Sequence, residues 1–254
     1  MGHKELFSCR APGNACLSGL KSMQESGSVA NNDSWGCGGV MRVAPVGMYY
    51  ATLMRNNAHG QEKAMGDGFE LGWQTAAITH GHPTAQLAAG TLAAIVMQLL
   101  MGEQLPQAIN AVLHPLQTRP GHEETLHAMQ RACQLVAQAP NSASTSASLG
   151  EGWATDEALA IAVYCALSAK DFRSGVALAV NHSGDSDSTG SIAGQLLGAM
   201  HGVGAIPASL IVPLELREVI AEMADDLATL NEWNLNDDTP TDELDFYFER
   251  YPGG

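Results

Sequence analysis

The sequence predicts an all-α protein. Alanine-rich segments with apolar residues at three- and four-residue spacing dominate it, and the alternation of β-branched residues that marks strands is nearly absent. Composition supplies a third observation: with 45% hydrophobic and only 15% charged residues over 254 positions, the helices can bury a sizeable core, which excludes a disordered chain. A single domain over residues 1–254 is expected.

The first predicted helix covers residues 66–79, and Pro83 is placed to start the second, 85–101. The nearly apolar stretch 87–101 carries Gln98 and reads as too short to span a bilayer. The third helix, 105–113, lies between Pro106 and Pro115, and the fourth, 122–138, between Pro120 and Pro140. Residues 140–150, with the run NSASTSAS, are too polar for a core helix and read as a surface loop. Helices at 156–168, 171–180, 188–201 and 215–230 complete the series, with Pro207 breaking the chain before the last. Two regions resist a helix assignment: the start through Gly39, rich in Gly, Ser and Asn, and the Asp- and Pro-rich end after Trp233.

The 27 acidic against 12 basic residues give a formal charge of -15, which repels phosphate backbones and makes nucleic acid and anionic membrane poor partners. Twelve of those acids and two arginines fall in residues 215–254, and the acidic tail at about 231–254 reads as a solvated face. Cys9, Cys16, Cys37, Cys133 and Cys165 are scattered without a metal or disulfide spacing. That pattern fits a reducing cytoplasm, and the first five residues contain no apolar signal core.

Three runs carry possible chemistry. In NHSGDSDSTG, residues 181–190, two carboxylates one residue apart with interleaved hydroxyls form a cluster of hard oxygen donors of the kind magnesium or calcium prefers. The alternative is that Asp187 or Ser188 merely caps the following helix. Behind this run Gly190, Gly194, Gly198 and Gly202 recur every four residues. Each costs a helix about 1 kcal/mol relative to alanine, so their face is expected to approach another backbone closely. In NNDSWGCGGVMRVAP, residues 31–45, glycines at 36, 38 and 39 can present backbone amides to a phosphate. No Walker lysine follows and no strand precedes. The third run, ITHGHP, residues 78–83, puts a histidine pair between two helices, where a hydrogen-bonding tether is the commoner role.

Together with RAPGN at 10–14 and with Gly152, Trp153 and the Glu157–Ala158–Leu159 run, these motifs follow one another in one order. In that order the chain resembles the ADP-ribosylglycohydrolase family, which includes the enzyme that reactivates ADP-ribosylated dinitrogenase reductase. The resemblance spans about residues 10–227. It implies an orthogonal helical bundle that hydrolyses ADP-ribosyl linkages, with ADP-ribose or an ADP-ribosylated protein as its partner. It also implies two magnesium ions, manganese being an alternative, with Asp185, Asp187 and Ser188 as ligands. Gly36, Gly38, Gly39 and His80 match the positions that line the ADP-ribose pocket. A metal pair can bind ribose hydroxyls and polarise the water that attacks the anomeric carbon.

Members of the family begin with a Gly-Asp-x-x-Gly segment and a Thr-Asp-Asp-Thr/Ser motif that supply further metal ligands and the acid/base carboxylate. Nothing before Arg10 matches either, so the chain is expected to be amino-terminally incomplete, with slow hydrolysis or none. A catalytically impaired relative that still binds ADP-ribose or a partner protein is the alternative. Asp237, Asp238 and Thr239 repeat the Asp-Asp-Thr pattern, but Pro240 follows directly and the run reads as an exposed acidic turn.

Overall fold

The computed structural model describes residues 8, 10–55, 60–233 and 240–251. Cys9 and the run 237–239 lie outside the described residues. Among those described there are thirteen α-helices and no strand. The helices are α1 (Asn14–Ser26), α2 (Ala44–Arg55), α3 (Gln61–Ala77), α4 (Pro83–Leu100), α5 (Leu105–Gln117), α6 (Glu123–Gln138) and α7 (Ala143–Ala147). They continue as α8 (Thr155–Ser168), α9 (Phe172–Ala179), α10 (Ser186–His201), α11 (Ala208–Ile211), α12 (Arg217–Thr229) and α13 (Thr241–Arg250).

Two helices organise the bundle. In α4 every residue from Thr84 to Leu99 except Gln86 is buried, and in α8 the run from Ala158 to Ala166 is buried without a break. Helices hydrophobic on all sides belong at the centre. Around α4 lie α2, α3, α5 and α10, while α6, α9 and α10 cover α8. By length and composition α4 is apolar enough to cross a bilayer, contrary to the sequence reading, but 83% of it is buried within the protein.

All eight expected helices form, most within a few residues of their expected ends. The largest shifts are α3, which begins five residues earlier than expected, and α5, which runs past Pro115 to Gln117. Proline forfeits its own N–H bond, but the fully buried Leu116 holds that last turn against the core.

Five further helices were not expected, the four-residue α11 among them. In α1 three serines and Gly19 lower the helix propensity, and packing compensates: at Gly19 a Cβ would lie 2.7 Å from Thr79 Cα. Helix α2 likewise seats Gly47 against α4, where a Cβ would meet Ala93 O at 2.5 Å. The serine-rich stretch 140–150 is pinned rather than loose. Ser142 caps α7 by accepting from Thr145 N at 3.2 Å, and Ser142 N donates to Tyr164 OH at 3.0 Å. Finally, α13 binds back on α12 through Arg250, which pairs with Asp226 and Glu222, and through Trp233, whose ring centroid is 4.7 Å from that of Tyr247.

The expectation for the glycine row of α10 fails. A Cβ at Gly194 or Gly198 would meet nothing within 4 Å, and only at Gly190 would one touch a neighbour, Val180 Cγ1 at 2.5 Å. Helix α10 buries the other face, Ser188, Thr189, Ile192, Ala193, Leu196 and Leu197. Period alone could not tell which face packs.

Candidate active site

The first turn of α8 is the structural hinge of the site. Thr155 N donates to Trp35 O at 2.9 Å, and Thr155 Oγ1 lies 2.7 and 2.6 Å from the carbonyls of Trp35 and Gly36. An isolated bridge pairs Gly36 with Ala154. Two residues along, Glu157 Oε2 accepts from Glu151 N and Gly152 N, both at 3.1 Å, and Glu151 O accepts from Asp185 N at 2.7 Å. One helix start therefore holds both the glycine loop and the acidic run, although these lie 148 residues apart in the chain.

Within the glycine loop, Cys37 Sγ lies 3.0 Å from Asp185 Oδ2 and 3.1 Å from Ser188 Oγ. Burial, reinforced by Asp185, pushes the Cys37 thiol up to about 12, so it stays protonated and acts as a donor. Asp185 is buried, Ser188 is buried, and Asp187 is exposed beside them on the first turn of α10. Burial pushes the Asp185 carboxyl up, but hydrogen bonds with Cys37, Asp187 and Ser188 outweigh it and hold the group below the usual carboxylate value. Asp185 occupies the N-cap position of α10, yet its side chain makes no capping bond. The carboxylate also meets the loop at Cys37, so its role is not that of a cap alone.

The loop then turns through a 3-10 segment, Val40–Arg42, fixed from α10: Gln195 Nε2 donates to Met41 O at 2.8 Å, and Ser188 Oγ to Met41 Sδ at 3.2 Å. The backbone amides of Gly38 and Gly39 donate to no acceptor among the described residues. Two such adjacent amides suit an anion. Against this loop lies His80, 1% exposed, with its Nε2 3.8 and 3.4 Å from where a Cβ would stand at Gly36 and Gly38. Trp35 and Trp153, 56% and 60% exposed, each precede one residue of the bridge, and Trp35 meets His82 edge-on at 5.4 Å.

Gly36, Gly38, Gly39 and His80 thus come together, as do Asp185, Asp187 and Ser188, and Cys37 joins the two groups. Among the described residues no group of three or more His, Cys, Asp or Glu side chains is arranged to hold a metal ion. The hard donors on offer are the Asp185 and Asp187 carboxylates and the Ser188 hydroxyl. Cys37, Thr155 and Gln195 were missed as site residues by sequence reasoning. Cys37 stood between two of the chosen glycines, which was the one available signal.

Burial and the Arg42 charge lower His80 from its ordinary 6.5 to about 4. The unfolded chain protonates this histidine first on acidification. Its contribution to stability is therefore complete above 6.5 and is lost as pH falls toward about 4. Denaturant titrations of the parent and of His80→Gln across that range are expected to show the flatter pH dependence in the variant.

The sequence model of the ADP-ribosylglycohydrolase family matches residues 2–236 of the chain. Among solved structures, the chain is similar to a protein described as an ADP-ribosylglycohydrolase-related protein complex. The two share 27% identity and a TM-score of 0.65, over 86% of this chain and 69% of that one. No curated protein sequence matches it.

Proposed function

Since the chain belongs to the ADP-ribosylglycohydrolase family, a family of glycohydrolases, we propose that it hydrolyses the glycosidic bond between ADP-ribose and a modified protein or small molecule, with magnesium or manganese as cofactor. The observation that carries this reading is the junction at Cys37. It joins a loop whose Gly38 and Gly39 amides have no acceptor among the described residues, suited to a diphosphate, to a start of α10 that offers two carboxylates and a hydroxyl.

The donor set fits a hard divalent cation in kind. Asp185 and Asp187 stand one residue apart at the start of α10, and two neighbouring carboxylates are an arrangement that a cation between them would stabilise. Asp185, Asp187 and Ser188 would hold the ion. Bound there, a divalent cation supplies charge stabilisation and polarises water for attack on the anomeric carbon. The protein's own residues do the rest. Gly38 and Gly39 amides and His80 hold the diphosphate, Cys37 keeps Asp185 turned toward the loop, and the exposed Trp35 and Trp153 border the entrance. The free thiols of Cys16, Cys37, Cys133 and Cys165 support placing this activity in the cytoplasm.

A second reading is a relative that binds ADP-ribose without turnover. It is favoured by the donor set among the described residues, two carboxylates, which is too few for the pair of ions that two-metal hydrolysis uses. Incubating the chain with an ADP-ribosylated protein, with magnesium or with a chelator, separates the two. Magnesium-dependent release of ADP-ribose, even if slow, supports hydrolysis, and binding without release supports the second reading. Absence of both defeats the ADP-ribose assignment.

A further inference from the structure

Arg42 Nη2 donates to Thr79 Oγ1 at 2.7 Å and to Thr75 O at 2.8 Å, and Thr79 Oγ1 lies 2.7 Å from His80 Nδ1. Thr79 is fully buried. A guanidinium only donates, and a hydroxyl has one proton to give. If Nδ1 carried the proton of His80, the hydroxyl would receive two donors, and its own hydrogen would have no acceptor among the described residues. In the interior that arrangement is costly. The hydroxyl therefore donates to Nδ1, and the neutral ring carries its proton on Nε2. That atom makes no hydrogen bond among the described residues, although the side chain is 1% exposed, and it looks onto Gly36 and Gly38. A donor at the accessible edge of an otherwise buried ring, left without an acceptor among the described residues, is the kind of group a ligand oxygen satisfies.

We propose that Arg42 and Thr79 are positioning residues that lock His80 as a neutral Nε2–H donor to the diphosphate of ADP-ribose. The proposal rests on the ADP-ribose reading above. The Arg42 guanidinium is the charged group beside the ring, and the Cys16 thiol of α1 approaches the same loop, 2.9 Å from the Cβ position of Gly38. Neither can accept the Nε2 proton as well as a phosphate oxygen can. His80 is thus a fixed donor and takes no part in proton transfer.

Two measurements on the intact chain test this. Nitrogen-15 NMR of the histidine rings at pH 7 is expected to show His80 protonated on Nε2 and bare on Nδ1; the opposite tautomer overturns the proposal without any variant. Calorimetry with ADP-ribose is expected to show affinity falling about ten-fold in Thr79→Val, which keeps the shape but loses the hydroxyl, and recovering in Thr79→Ser. Equal affinity of the parent and Thr79→Val overturns the relay while leaving the ADP-ribose reading intact. Failure of the parent itself to bind ADP-ribose overturns both.

Discussion

Gly184→Ala is expected to destabilise the protein by roughly 2 kcal/mol or more and to disable the site, although the substitution adds a single methyl group. The added Cβ would stand 2.0 Å from Glu151 O and 2.7 Å from Glu151 C, both backbone atoms that cannot swing aside as a side chain can. Relief requires the segments 151–152 and 184–185 to separate. That movement breaks the bond from Asp185 N to Glu151 O, through which the first turn of α8 sets the height of the acidic run against the glycine loop. Thermal unfolding followed by circular dichroism reads the stability, and ADP-ribose calorimetry below the transition reads the site. A parent-like midpoint together with parent-like binding would show that this contact is not what aligns the two segments.

Asp185→Asn is expected to keep the fold and to lower magnesium-dependent ADP-ribose release by about a hundred-fold or more, since loss of one charged ligand exceeds the 10–100-fold cost typical of a supporting residue. The amide preserves the side-chain shape, and its oxygen can still accept from the Cys37 thiol, so packing at the junction survives. The negative charge that a cation needs does not. Asp187→Asn is expected to act in the same direction. A magnesium titration of release rates in Asp185→Asn that matched the parent would remove Asp185 from the donor set.

The helices that long apolar periodicity marks, above all α4 and α8, were legible because burial on every side leaves a composition no solvent-facing helix would carry. Those that depend on tertiary partners were not. Helix α1 has weak propensity and owes its position to the approach of Gly19 to Thr79, while α13 is held by Arg250 and Trp233 against α12. The glycine row of α10 misled for the opposite reason: its spacing is real, but Gly194 and Gly198 face open space. At the site, the loop and the acidic run could each be read locally. Their meeting through Cys37, Thr155 and Glu157 spans more than a hundred residues, and no local pattern encodes it. The tautomer of His80 was likewise invisible, because it follows from a proton count that needs Arg42 and Thr79 in place.

Calorimetric titration of the intact chain with ADP-ribose in magnesium buffer tests most directly whether the glycine loop and the start of α10 form one ligand site. Saturable one-to-one binding is expected, weakened both by Gly38→Val, whose side chain would crowd His80 and Cys16 and block the loop amides, and by Asp185→Asn across the junction. Heats of dilution alone, or binding that neither substitution alters while both variants remain folded, would contradict it.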